Sequence, residues 1–172
     1  MEILIQGATE PHVVINAYRL MDLLDHLLPV DPAHNLKDHE LPVAVNVAKI
    51  VDRFNLYSLV DLDVLLVASL CHDRNRFFVG HLPINALTDF VIKNSGLELE
   101  RQKKAMQLVK NHSELSESSS VEDVVLWLAD KMNIFRLEEL WQPMVNFQRL
   151  LKDTIERSGR RRCLESTVLS VG

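Results

Sequence analysis

Glycine is scarce in this chain, five residues in 172, and aromatic side chains make up only 6%. Leucine and valine are frequent instead, a balance that favours helices over a β-sandwich. Cysteine is rarer still. Cys71 and Cys163 stand far apart with no zinc-type spacing, so a reduced, cytoplasmic chain is the expectation. The opening Met-Glu-Ile-Leu-Ile-Gln-Gly lacks the basic start and long apolar core of a secretory signal. The longest apolar run, Leu62 to Cys71, includes Ser69 and is too short to span a bilayer, so no membrane partner is expected. Positive charge is in deficit as well. A formal charge of -5 argues against an extended nucleic-acid surface, while leaving room for a small anionic substrate where a local cation inverts the field. There is no glycine-rich phosphate loop and no nucleophilic serine or cysteine motif.

What is present fits one domain, residues 1–172, with 47% apolar and 25% charged residues. Residues 1–8 read as an extended arm and 158–172 as a loosely held tail. Thr9-Glu10-Pro11 opens a helix, and Val14, Ala17, Leu20, Met21, Leu24, Leu27 and Leu28 give it one apolar face. Pro29 and Asp31-Pro32 end it. Asp38 reads as the cap of a second amphipathic helix carrying Val43, Val47, Ile50, Val51 and Phe54. Asp61 caps the third, which is apolar nearly all round and therefore central. Pro83 opens a fourth, closed by Asn94-Ser95-Gly96, and Leu99 to His112 forms a fifth. A polar Ser/Glu loop over Ser113–Ser120, expected to be mobile, leads to a sixth helix capped by Ser119 or Ser120, with Glu122 and Asp123 in its first turn. The helical pattern resumes from Phe135 to about Ile155, bent near Pro143. The expected fold is an all-α bundle of about six to eight helices.

The central helix ends in adjacent His72 and Asp73. Burying an imidazole beside a carboxylate costs several kcal/mol, on the order of what an unpaired polar group costs, unless partners are supplied. His39 stands at the start of the preceding helix, where antiparallel pairing brings it beside His72. Asp130 is another acid in an apolar helical setting, Trp-Leu-Ala-Asp-Lys. Histidines and carboxylates together suit a divalent first-row metal such as Mn, Fe, Co, Ni or Zn better than Ca.

These residues resemble a known family. His39 to Asp73, followed by the distant Asp130 in Leu-Ala-Asp-Lys-Met, looks like the signature of the HD domain, the all-helical superfamily of metal-dependent phosphohydrolases. The resemblance covers about residues 35–137. It implies that His39, His72, Asp73 and Asp130 hold a metal. It also implies one ion or two, with His81 and His112 either binding the second or touching phosphate, and Asn-His-Ser around His112 resembles a segment of nucleotide-hydrolysing members. The family often continues His-Asp with an apolar residue, Gly and Lys, where this chain has Arg74, Asn75 and Arg76. Arg76 keeps the positive charge and is the stronger phosphate candidate of the two arginines.

The implied activity is hydrolysis of a phosphate ester or anhydride, with a nucleotide as the favoured substrate and a metal-activated water as nucleophile. Asp73 would help remove the water's proton through its free oxygen, and Arg76, with Lys131 and His112, would neutralise the phosphate. A non-catalytic HD-type domain that binds a nucleotide or protein is the rival, and a helical interaction module with a buried polar network is the third reading. Glu40 reads either as an orienting partner for an imidazole or as a first-turn acid. His12 and His26 read as surface residues, His34 as standing apart from the site, and Lys131 more readily as ion-paired than as a phosphate ligand. Arg160-Arg161-Arg162 reads as a solvated segment, Trp127 and Trp141 as packing residues and Cys71 as core. The stretch containing Leu137, Leu140, Trp141, Met144 and Phe147 offers a face for a homo-oligomer.

Overall fold

A computed structural model describes residues 2–28, 35–74, 85–116, 118–134, 149 and 152–157. Among them the chain is all-helical, with no strand: α1 (Glu2–Ile5), α2 (Pro11–Leu27), a π-helical turn (Leu36–Glu40), α3 (Leu41–Arg53), α4 (Leu62–Cys71), α5 (Ala86–Asn94), α6 (Leu99–Asn111) and α7 (Val121–Ile134). Residues 152–157 are also helical. Among the described residues no helix is long and apolar enough to cross a membrane.

The bundle is built around α4. Asp61 caps it, its carboxylate accepting from the Val64 N–H at 3.2 Å, and every residue from Leu62 to Cys71 is buried. Such a helix has no solvent face and must be wrapped. It packs on α2, α3 and α6, with α5 and α7 completing the shell, while α7 lies along α3. Leu65, Leu66 and Leu70 are fully buried, each stabilising the fold by about 1.5–3 kcal/mol relative to exposure.

Asp63 is the one charged side chain within α4, and it is 1% exposed. Its oxygens accept from the Thr9 N–H at 3.1 Å, the Thr9 hydroxyl and the Glu10 N–H at 3.2 Å. The entry to α2 is therefore capped from α4, and Glu10 caps nothing with its own side chain. Arg101 of α6 joins the same cluster, donating to both Asp61 oxygens at 2.8 Å, to Asp63 at 3.0 Å and to Glu10. Burial would raise the Asp61 pKa, but Arg101 and the Val64 N–H outweigh it and hold the carboxyl below its ordinary value.

Two local readings of the sequence are altered, at residues 1–8 and at Asp38, and those at Ser120, Gly96, Cys71 and Trp127 stand. Residues 2–5 are a helical turn with Leu4 fully buried, not an extended arm, because one aliphatic side chain finds the core. The helix start read at Asp38 lies earlier: Asn35 is the cap, its oxygen accepting from the Asp38 N–H at 2.9 Å, and a π turn intervenes before α3. At α7 the cap is Ser120, whose hydroxyl accepts from the Asp123 N–H while Asp123 accepts from the Ser120 N–H at 2.7 Å, a reciprocal capping box. Gly96 closes the turn after α5 at φ +103°, where a side chain would be strained. Cys71 lies in the core, its thiol donating to the Val67 carbonyl and its pKa pushed up by burial. Trp127 is a partly buried packing residue. Pro29, His34, Pro83, the helix continuation from Phe135 with Leu137, Leu140, Trp141, Met144 and Phe147, and the arginines of the tail lie outside the described residues.

Leu66→Ala should lower the unfolding free energy by about 2–5 kcal/mol in urea titrations. Asp61→Asn should destabilise the protein at neutral pH and flatten the acid limb of its stability curve. The lowered pKa of Asp61 contributes stability that is complete above the unfolded-state value, about 3.9, and is lost as pH falls through the lower folded value. Urea midpoints measured between pH 2 and 7 for both proteins read this directly.

Candidate metal centre

Three elements deliver the four residues of the sequence signature to one point. The π turn over Leu36–Glu40 closes with the Leu41 N–H on the Leu36 carbonyl, an i to i+5 bond. Turns of this kind admit an extra residue and recur at functional sites. This one places His39, 4% exposed, inside the bundle. His72 and Asp73 leave the C-terminus of α4 in a tight turn, Arg74 N–H reaching back to the Cys71 carbonyl at 3.4 Å, and Thr88 of α5 donates to that same carbonyl at 3.0 Å. Asp130 comes from the buried face of α7.

The reactive atoms converge. His39 Nε2 lies 3.2 Å from His72 Nε2, 3.2 Å from Asp73 Oδ2 and 3.8 Å from Asp130 Oδ1. His72 Nε2 lies 3.7 Å from Asp73 Oδ2 and 3.6 Å from Asp130 Oδ1. All four ligand atoms fall within 4.8 Å of one another, and all four residues are buried. Donors about 2.1 Å from a shared cation stand about 3.0–3.4 Å apart in octahedral or tetrahedral arrangements, close to what is seen. Two features of the donor set bear on whether it could hold a cation. Among the described residues Asp130 Oδ1 is buried with no hydrogen-bond partner, and two imidazole nitrogens face each other at a separation that leaves room for only one proton between them. The residues present therefore could hold a metal ion.

The surroundings hold these donors in place. His72 Nδ1 donates to the Ser69 carbonyl at 2.8 Å, which fixes a proton there and turns Nε2 toward the cluster. His112, at the end of α6, also donates Nδ1–H to a main-chain carbonyl, that of Val109 at 2.5 Å, while its Nε2 faces the Asp73 Oδ1 acceptor at 3.1 Å. The His112 and His72 rings meet edge to face, with centroids 5.1 Å apart. His39 Nδ1 is 3.1 Å from Asn133 Nδ2, one turn beyond Asp130 on α7. Lys131 donates to Asp130 Oδ2 at 2.8 Å.

The electrostatics follow from these contacts. Burial alone would raise the Asp73 pKa, but hydrogen bonds with His112 and His39, with the nearby His72, hold it well below the carboxylate range. Burial acts the same way on Asp130, and His72 and Lys131 outweigh it, leaving a pKa lowered to about 2. At His112 burial favours the neutral ring, but Asp73 and the Val109 carbonyl prevail and the pKa is raised. Both carboxylates are thus ionised at neutral pH, the form that binds metal.

Of the other residues the sequence singled out, Arg76 and His81 lie outside the described residues. Lys131 is ion-paired with Asp130. Arg74 is buried and points away from solvent, pairing with Glu40 Oε2 at 2.7 Å and Asp25 at 2.5 Å. It joins the residue after Asp73 to the residue after His39. Glu40 is thus neither of the things read for it: it clamps a cation, and burial, only partly offset by Arg74, raises its pKa. Sequence reasoning missed Asn133, Asp25 and the Glu40–Arg74 pairing. The three-residue spacing from Asp130 to Asn133, which puts both on one helix face, was the available signal for the first. Searches against protein-family models, curated proteins and solved structures find no match to this chain.

Glu40→Gln should destabilise the fold by about 1–3 kcal/mol, because it removes one of the two carboxylates on a buried guanidinium and leaves Asp25 as its remaining ion-pair partner. The pair Glu40→Gln with Arg74→Met should recover most of that loss, a coupling that a double-mutant cycle in urea measures.

Proposed function

We propose that this chain is an HD-type, metal-dependent phosphohydrolase acting on a phosphate ester or anhydride, with nucleotides as the substrate class. The observation that carries the reading is the convergence of two imidazole nitrogens and two ionised carboxylates on one buried point, one carboxylate oxygen being otherwise unpartnered. The order of those residues in the chain, and the apolar helix that ends in His72-Asp73, support the family assignment.

His39, His72, Asp73 and Asp130 would hold the ion. A divalent cation bound there supplies Lewis-acid polarisation of a phosphoryl oxygen and acidifies a water. The chain's own residues do the rest. His72 presents Nε2 in a fixed tautomer, so no reorganisation accompanies binding at that donor. Asp73 divides its oxygens, Oδ2 toward the cluster and Oδ1 toward His112. The proton that leaves an attacking water then has a carboxylate oxygen to go to, with His112 Nε2 beside it. Lys131 holds Asp130 Oδ2 and directs Oδ1 inward. The apolar walls of α3, α4 and α7 exclude bulk water and strengthen every charge interaction inside. Arg76, which keeps the positive charge where the family often has Lys, is assigned to the phosphate, and His81 either to a second ion or to the phosphate, as the resemblance implies for that histidine.

A second reading, an HD-type domain that binds a nucleotide without turning it over, draws support from Arg74. That arginine is engaged by Glu40 and Asp25, and Lys131 is engaged by Asp130, so neither is available to neutralise phosphate.

A phosphate-release screen over nucleoside mono-, di- and triphosphates with Mn, Co, Ni, Zn and Mg decides between them. Turnover should depend on metal, vanish after chelation and return on adding a transition metal. His72→Ala and Asp73→Ala should each lose more than about 100-fold, beyond the cost of removing an outer partner of a ligand. Wild-type turnover in either variant would overturn the proposal. Saturable nucleotide binding with no phosphate released would favour the second reading.

A further inference from the structure

Two of the three histidines at this centre have their protons fixed by main-chain carbonyls, Ser69 for His72 and Val109 for His112. A carbonyl only accepts, so each Nδ1 must carry hydrogen. His39 differs, because its Nδ1 faces a side-chain carboxamide, that of Asn133, at 3.1 Å. A carboxamide has a donating end and an accepting end of nearly the same shape, and the network decides which is presented.

With the NH₂ end inward, Asn133 also reaches the His39 carbonyl at 3.5 Å, and His39 Nδ1 accepts. A neutral His39 then carries its proton on Nε2, within reach of Asp73 Oδ2 and His72 Nε2, both at 3.2 Å. That arrangement puts a proton where a cation would sit and leaves Asp130 Oδ1 without a hydrogen bond among the described residues. Half a turn of the amide presents Oδ1 instead, which accepts from Nδ1–H and leaves Nε2 as a lone pair facing Asp73, Asp130 and His72.

We propose that Asn133 is a positioning residue that sets the tautomer of His39, switching it from proton donor to metal ligand by rotation of its amide. The proton lost from Nε2 is regained at Nδ1 through solvent, so the exchange leaves net charge unchanged. The inference rests on the metal-centre reading for its second half only; the tautomer of the metal-free protein stands apart from it.

The test uses the full chain labelled with ¹⁵N-histidine, freed of metal by chelation and then titrated with Zn²⁺, which is diamagnetic. Long-range ¹H–¹⁵N spectra report which ring nitrogen of His39 is protonated. Wild type should show Nε2–H without metal and Nδ1–H with Zn²⁺. Asn133→Asp, whose carboxylate only accepts, should show Nδ1–H in both states and bind Zn²⁺ at least as tightly as wild type. Asn133→Leu, which fills the space without a polar end, should bind Zn²⁺ about 10–100-fold more weakly. Nδ1–H at His39 in the chelated wild type, or an unchanged tautomer in Asn133→Asp, would overturn the proposal. Because Asn133→Asp preserves shape, it decides the matter even if Asn133→Leu does not fold. Should wild type bind no Zn²⁺, the metal-centre reading and the ligand half of the switch both fail. The comparison of chelated wild type with Asn133→Asp would still decide whether Asn133 governs His39.

Discussion

Two carboxylates, Asp73 and Asp130, are ionised inside a helical bundle and aim oxygens at the same pair of imidazole nitrogens. Like charges buried together are tolerated only when positive charge stands between or beside them. The structure supplies part of it at the periphery: Lys131 on the far oxygen of Asp130, His112 on the far oxygen of Asp73. The inner oxygens are left facing a common point, and the surrounding architecture serves to keep them there. The helix α4 is wrapped on all sides so that its C-terminal turn cannot drift, the π turn brings His39 to the same level, and α7 is held along α3.

Outside the donors lies a second layer of constraint. The Arg74 guanidinium bridges Glu40 and Asp25, and the chain neighbours of the Arg74–Glu40 pairing are two of the candidate ligands, Asp73 on one side and His39 on the other. These two ion pairs therefore tie the two turns that carry the candidate ligands to each other and to α2. A buried pair of this kind adds little net stability but is costly to break, which suits a part whose task is registration. At the opposite end of α4, Arg101 plays the corresponding role for α2, α4 and α6 through Glu10, Asp61 and Asp63.

Much of this was legible in the sequence because it is encoded locally. The Asp61 cap, the largely apolar run and the His72-Asp73 ending all sit within thirteen consecutive residues and are visible there without any distant partner. The gathering of His39, His72, Asp73 and Asp130 was read from the family resemblance, and the structure brings those four together. What escaped is what depends on distant partners. The apolar spacing of Val43 to Val51 runs smoothly back to Asp38, and nothing in it distinguishes a π turn from another turn of α-helix. Arg74 next to a phosphate-type motif invites a phosphate role; its real partners, Glu40 and Asp25, lie far away in the chain. Asn133 looks like an ordinary helix residue until His39 is seen beside it.

The most direct test of the central claim is anomalous X-ray scattering from crystals of the protein purified without chelator. Data recorded on either side of the absorption edges of Mn, Fe, Co, Ni and Zn should show one strong peak within bonding distance of His39 Nε2, His72 Nε2, Asp73 Oδ2 and Asp130 Oδ1. Featureless anomalous maps at that point, in crystals soaked with each of these ions, would contradict the account and leave the cluster as a buried polar network in a helical protein.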